Sequence, residues 1–234
     1  MIQSPSQITM ANPLNHSIRV RLFRPIARAF FRLMYRILTN LTIEGLENIP
    51  PKRGYLLTIN HLSYYDPPLS LSFWTCSPEA LGAEKTMTNN GIIGLIMKWY
   101  GTYPVKRDGD DRMAIRHAIR ILQNDLPLLI APEGTRHPEG MRDPQNGAAF
   151  LATKTHVPII PVAISGTTDI FTQLLKGKKQ KVGMVIGKPY ELPDLYGYNR
   201  HETLNMHTQL IMQKIAELLP EEHRGQYSNI NPAN

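Results

Sequence analysis

Cysteine is almost missing. Cys76 is the only one in 234 residues, so no intrachain disulfide and no cysteine-based zinc site can be built. Such usage fits a reducing, cytosolic environment. Long apolar runs are missing too. Nothing approaches the roughly 18 consecutive apolar residues of a transmembrane helix. Beyond the polar first 18 residues, the longest run free of Asp, Glu, Lys and Arg is 155–168. The opening MIQSPSQITMANPLN lacks the basic-then-apolar order of a secretory signal and is expected to be a loose tail. No repeat or low-complexity tract occurs, and 16 Gly with 19 Pro is ordinary globular usage. With 42% hydrophobic and 19% charged residues, disordered and fibrous classes are excluded, and the length suits one α/β domain with a full core.

Acidic residues and lysine are absent from residues 1–43, which nevertheless hold six arginines, Arg19, Arg21, Arg24, Arg28, Arg32 and Arg36. The net charge of +7 is therefore local, because the rest of the chain carries 20 basic against 19 acidic residues. At 100° per residue, Arg21, Arg24, Arg28, Arg32 and Arg36 fall within an arc of about 120° on a helix. The other face is apolar, with Leu22, Phe23, Ile26, Phe30, Leu33, Met34, Ile37 and Leu38, and Pro25 reads as a first-turn proline. One reading is a surface helix docked on its own domain through its apolar face. An all-arginine polar face points instead to anionic lipid headgroups, at roughly 1 kcal/mol per basic residue near a membrane surface. The expected membrane-binding residues are Arg21, Arg24, Arg28, Arg32 and Arg36 with Phe23 and Phe30. No nucleic-acid motif is present and the bulky apolar face suits an acyl boundary, so no nucleic-acid partner is expected.

After this helix, short apolar runs alternate with amphipathic segments, which predicts an α/β fold with a mostly parallel central sheet flanked by helices. Strands are expected at 42–45, 55–60, 79–84, 101–106, 127–131, 158–164 and 182–187. Helices are expected near 67–75, 88–99, 110–124, 145–155, 168–175 and 202–219. In 110–124, Met113, Ile115, Ala118, Ile119 and Leu122 are expected to face inward. Near-continuous apolar strands imply a sheet buried on both faces. The expected organisation is a tail and basic amphipathic helix over 1–40, the α/β domain over 41–220, and a polar, mobile tail over 221–234. Trp99, Tyr100 and Tyr103 read first as core residues and second as interfacial anchors.

Open parallel sheets bind ligands beyond the carboxyl ends of their strands. Two segments stand there: Asn60-His61-Leu62-Ser63-Tyr64-Tyr65-Asp66 and Pro132-Glu133-Gly134-Thr135-Arg136. His61 precedes Asp66 by five residues, and Asp66 is followed by Pro67-Pro68, the pattern of an N-cap and first helical turn. A loop leaving a strand and closing into a helix can set a carboxylate against imidazole Nδ1, leaving Nε2 to take a proton from a hydroxyl. Taken singly, Asp66 is equally a helix cap and His61 a half-buried histidine. Ser63 lacks a G-x-S-x-G elbow and is a weaker nucleophile candidate. The segment 133–136 offers an exposed glycine backbone, a hydroxyl and a guanidinium, which suit a phosphate, although a surface turn with a solvated ion pair has the same residues.

Together, Asn60-His61 with Asp66, Gly101-Thr-Tyr-Pro-Val-Lys-Arg107, Pro132-Glu-Gly-Thr-Arg136 and Val157-Pro-Ile-Ile-Pro-Val162 resemble, in order and spacing, the four motif blocks of the glycerolipid acyltransferases. The resemblance covers roughly residues 40–190. It implies acyl transfer from acyl-CoA or acyl-carrier protein to the free hydroxyl of a lysophospholipid, with lysophosphatidate as the usual acceptor and phosphatidate as product. It implies no metal and no redox cofactor. His61 would be the general base, Asp66 its orienting partner, Arg107 and Arg136 the phosphate holders, and Glu133, Gly134 and Thr135 the shapers of that site. Such an enzyme would sit peripherally on the cytoplasmic face of the cell membrane. Two departures stand out: Gln145 before Gly147, where many members carry a basic residue, and Tyr103-Pro104, where Phe or Ile is commoner. Other acceptors within the family (another lysolipid, an amino-lipid or a glycolipid), a non-catalytic lipid-binding protein and a metal-dependent hydrolase are the competing readings.

Overall fold

The computed structural model describes residues 16–51, 54–89, 91–106 and 111–228. Helix α1 (Ile18–Leu38) leads into β1 (Thr39–Glu44) and β2 (Leu56–Ile59). There follow α2 (Asp66–Phe73), β3 (Glu79–Ala83), α3 (Glu84–Asn89), α4 (Gly91–Tyr100) and β4 (Tyr103–Val105). Then come α5 (Arg112–Gln123), β5 (Leu128–Ile130), α6 (Gly147–Thr155), β6 (Ile159–Ser165), α7 (Ile170–Leu175), β7 (Gln180–Ile186) and α8 (Arg200–Ala216). The seven strands form one sheet in the order β1-β7-β6-β2-β5-β3-β4. Every pairing is parallel except β6 with β7, so the mostly parallel α/β class holds.

Strand alternation divides the core into two layers. Leu57, Ile59, Leu129, Ile160 and Val162 face one side, where Tyr35, Leu69, Trp74 and Ile170 of the α1, α2 and α7 region cover them. Leu56, Leu128, Ile159 and Ala163 face the other, beneath α5, α6 and α8. Helix α5 presents Ala114, Ala118, Ile121 and Leu122 to that layer, with Ile119 packed at its margin. Met113 and Ile115, expected inward, are exposed. The phase is set by Asp111, whose side chain caps the Ala114 N–H, and by two small alanines one turn apart that bring the helix close to the sheet.

The C-terminal stretch also differs from expectation. Residues 221–228 form two 3₁₀ turns, with Tyr227 buried and its hydroxyl donating to Gln209 Oε1 at 3.0 Å. Backbone bonds between Met141 and both His223 and Gln226 fasten this segment to the body. The remaining expected tail, 229–234, lies outside the described residues, as does the N-terminal tail over 1–15.

Helix α1 is amphipathic, but it is docked the other way round. Three of its six arginines, Arg24, Arg28 and Arg32, turn inward beside buried Val20, Ala27 and Tyr35: Arg24 is buried, and its Nη1 and Nη2 donate to the two oxygens of buried Glu79 at 2.7 Å each while Nε donates to the Tyr100 carbonyl at 2.8 Å. Arg28 reaches Ser77 Oγ and the Trp74 carbonyl, and Arg32 the carbonyls of Ser72 and Trp74. These carbonyls lie at the C-terminal ends of α2 and α4, where the last turn leaves acceptors without intrahelical donors. Long guanidinium arms supply those donors, so Arg24, Arg28 and Arg32 are removed from the membrane-binding set. Phe23 is half-buried, edge-on to Trp99 at 5.4 Å, whereas Arg21, Arg36 and Phe30 stay exposed. Tyr100 is buried and Tyr103 stacks on His117 at 3.9 Å. Pro25 falls eight residues into α1 rather than in its first turn, which removes one i to i−4 hydrogen bond.

Burial opposes ionisation of Glu79, yet the hydrogen bonds and charge of Arg24, with His16, hold its carboxyl below the usual range. Removing one partner strands the other. Arg24→Met is expected to cost about 3–5 kcal/mol in urea denaturation, whereas Leu22→Gln, on the exposed face, is expected to shift stability by less than about 0.5 kcal/mol. The reverse ranking would overturn the docking orientation.

Candidate active site

The β2 and β6 ladder ends at Ile59 opposite Val162, and the side chain of Asn60 continues it. Buried Asn60 donates Nδ2–H to the Ile164 carbonyl at 2.9 Å and accepts the Ile164 N–H at 2.7 Å. The next residue, His61, is thereby delivered to the carboxyl-end edge of the sheet at a fixed point. Its own peptide groups are then gripped from β5's exit loop. The His61 N–H donates to Glu133 Oε1 at 3.0 Å, and the His61 carbonyl accepts the His137 N–H at 2.8 Å. The segment 133–137 therefore brackets His61, and Thr135 and Arg136 lie between the two points of attachment.

The imidazole Nδ1 lies 2.9 Å from Asp66 Oδ2, with the histidine side chain 15% exposed and the aspartate fully buried. Asp66 is the first residue of α2 rather than its cap, since Tyr65 holds the capping position and makes no side-chain cap bond. The Asp66 carboxylate turns back: Oδ2 also accepts the Ser63 N–H at 2.7 Å, and Oδ1 accepts the hydroxyls of Thr167 and, at 3.4 Å, Ser63. A carboxylate only accepts, so Nδ1 carries the proton and Nε2 is left as the basic nitrogen. Ser63 Oγ further accepts the Tyr65 N–H at 3.1 Å, so this hydroxyl serves the turn and is no nucleophile.

The second segment departs in part from expectation. Glu133 does not face substrate space: its side chain is buried, and its Oε2 accepts the Arg142 N–H at 3.2 Å while Oε1 holds His61. It is a strut beneath the histidine. Burial pushes its carboxyl up to about 7, against the two backbone N–H groups that favour the anion. Gly134, at φ +67°, closes a turn in which its N–H meets the Ala131 carbonyl at 3.0 Å, a conformation that a Cβ would strain. Thr135 is exposed, and the Arg136 guanidinium stands 3.3 Å over the Tyr64 ring centroid. Arg107 lies outside the described residues. Thr167 was missed by the sequence reading, although it follows the apolar β6 strand at the same sheet edge, the position where the other two segments were found.

An acyltransferase family model matches residues 40–165. The chain is 28% identical over 204 residues to a 1-acyl-sn-glycerol-3-phosphate acyltransferase of Streptococcus pneumoniae, covering 84% of this chain and 74% of that one. It is 27% identical over 180 residues to the protein of the same name from Bacillus subtilis, covering 75% and 86%. Among solved structures it resembles the 1-acyl-sn-glycerophosphate acyltransferase PlsC of Thermotoga maritima, with a TM-score of 0.59 and 25% identity over 88% of this chain and 85% of that one.

Because the folded-state pKa of Glu133 is raised, its protonated form is favoured by folding, and that contribution is full at low pH and lost as pH rises through about 7. At about 1.4 kcal/mol per unit, ionisation costs about 3 kcal/mol by pH 8. Glu133→Gln removes this dependence. Urea midpoints compared at pH 5.5 and 8 should therefore fall for the wild type relative to Glu133→Gln, and parallel curves would refute the buried-strut assignment.

Proposed function

The chain belongs to the acyltransferase family, and on that premise we propose that it transfers a fatty acyl group from an acyl thioester, of coenzyme A or acyl-carrier protein, to the free hydroxyl of 1-acylglycerol-3-phosphate, forming phosphatidate. The observation that carries this reading is the His61–Asp66 pair at 2.9 Å, partly exposed on the histidine side and bracketed by the loop that bears Arg136. An alcohol is a weak nucleophile until a base takes its proton during attack. His61 Nε2 accepts that proton as the hydroxyl oxygen bonds to the thioester carbonyl carbon. The tetrahedral intermediate then expels the thiolate, which takes the proton from the imidazolium and leaves as free thiol. Buried Asp66 fixes the imidazole tautomer and stabilises the imidazolium between the two steps. Attack is direct, with no acyl-enzyme. Arg136, and Arg107 by the motif resemblance, are the residues we assign to the acceptor phosphate, with Gly134 and Thr135 shaping the approach.

The lipid acceptor and product call for an interfacial enzyme, and we extend the proposal to peripheral attachment on the cytoplasmic face of the cell membrane. No described helix is long and apolar enough to cross a bilayer. What supports interfacial attachment is the outward face of α1, where Ile18, Leu22, Ile26, Phe30, Leu33 and Ile37 are each more than half exposed. Ile92, Leu95 and Trp99 of the adjacent α4 extend this apolar surface, and exposed Arg19, Arg21 and Arg36 accompany it as groups for anionic headgroups.

Purified protein is expected to release thiol from oleoyl-CoA with lysophosphatidate in anionic vesicles, with phosphatidate identified by mass spectrometry. General-base loss amounts to about 10²–10⁴-fold, so His61→Ala and Asp66→Asn should both fall into that range while still binding vesicles. Product formed only from another lysolipid, amino-lipid or glycolipid would change the acceptor; equal turnover in wild type and His61→Ala would remove the base. For attachment, the double variant Ile26→Asp/Phe30→Asp should lower vesicle co-sedimentation at least about tenfold with an unchanged circular dichroism spectrum. Unchanged partitioning would mean that α1 does not carry the contact.

A further inference from the structure

We propose that Thr167 is a positioning residue for the His61–Asp66 pair, a third member whose hydroxyl holds the Asp66 carboxylate in register with the imidazole. The proposal rests on the general-base reading of His61, and it adds a residue beyond 165, where the family match ends. Four observations carry it. Thr167 is fully buried, and its Oγ1–H donates directly to Asp66 Oδ1, the oxygen opposite the one that holds His61 Nδ1. Among the described residues, the only other bond to that oxygen is the long 3.4 Å contact from Ser63 Oγ, which also accepts the Tyr65 N–H. A buried carboxylate keeps its charge only with such donors, so this hydroxyl both favours the anion and fixes its rotation.

The third observation is how the chain delivers the residue. Gly166 has φ +74°, and a Cβ there would stand 2.0 Å from the Lys181 carbonyl of β7, so only glycine permits the tight turn that tucks Thr167 under Asp66. The fourth is a second contact between the two regions, Phe171 of α7, just after the Thr167 turn, against Tyr65 at a centroid separation of 5.7 Å. Valine at 167 keeps the shape and removes the donor. With one donor fewer, the carboxylate becomes more basic, the imidazolium is better stabilised, and the histidine titrates at higher pH, while the loosened carboxylate orients the base less well.

Thr167→Val is expected to lower kcat about tenfold with KM changed by less than about twofold, and to move the acid limb of the kcat/KM profile upward by about half a pH unit. Thr167→Ser should restore both. Among the described residues, the other titratable groups facing the pair are Glu133 across the His61 peptide, His137 at the His61 carbonyl, and Tyr35, whose hydroxyl lies at the Tyr65 carbonyl. None is altered by the substitution. Tyr35→Phe, which removes a buried hydrogen bond beside Asp66 without touching its carboxylate, is the structural control and should leave the acid limb in place. The His61 titration followed by NMR, assigned by its loss in His61→Ala, reads the coupling without turnover. An upward shift in Thr167→Val reversed by Thr167→Ser supports the proposal even if the acceptor is another lipid. An unchanged His61 midpoint, or a loss of kcat that serine does not rescue, would overturn it.

Discussion

A carboxylate with no access to water is the constraint around which the site is built. Asp66 stands at the sheet edge fully buried, and an ionised group there persists only where donors replace its hydration. Its own turn supplies the Ser63 N–H, β2's exit supplies the His61 imidazole, and β6's exit supplies Thr167. The most distant of those donors, Thr167, lies 101 residues from Asp66, so the carboxylate is satisfied only when β2, α2 and β6 are all in place. Folding the sheet and assembling the His61–Asp66 pair are in this sense one event.

The second buried carboxylate works differently. Glu133 accepts two backbone N–H groups and, among the described residues, meets no cation on either oxygen, and burial raises its pKa to about 7. Its contribution is geometric. With the His137 N–H on the other side, it fixes the peptide of His61 at both its donor and its acceptor, so the side chain swings from a backbone that cannot shift. One acid orients the ring and the other anchors the chain beneath it, which explains why two acidic residues, five residues and 72 residues from the histidine, serve one imidazole.

The alternation of apolar runs and turn residues located the strands and placed both loops at one sheet edge, because period and strand-end position follow from local chemistry. Orientation did not. The spacing of Arg24, Arg28 and Arg32 defines one helix face, but nothing within α1 says whether that face meets lipid or the carbonyl ends of α2 and α4, which lie 40 to 76 residues away. Arginine serves either purpose, since its long stem lets a charged head reach a distant acceptor. Glu133 was correctly located and wrongly aimed, because a strand-end motif gives residue types and not the direction of a side chain. Thr167 had no local signature at all. A threonine after a strand is common, and its partner is fixed only by the parallel pairing of β2 with β6.

Helix α1 joins the proposed membrane surface to the His61 site through its contacts with α2. Its arginines hold the C-terminal end of α2 through the carbonyls of Ser72 and Trp74, and Tyr35 holds the N-terminal end by donating to the Tyr65 carbonyl at 2.6 Å. Asp66 is the next residue after that carbonyl. The helix that turns an apolar stripe outward is thus strapped along the length of the short helix whose first residue orients the His61 ring. An amphipathic helix docked by its apolar face would have spent that stripe on the core and left no such surface. Docking by the arginines leaves the stripe free while the buried Arg24–Glu79 pair secures the contact. The distance between an apolar surface and His61 is then set by packed side chains rather than by a flexible linker, which is the geometry that the proposed acylation of a lipid hydroxyl at an interface requires.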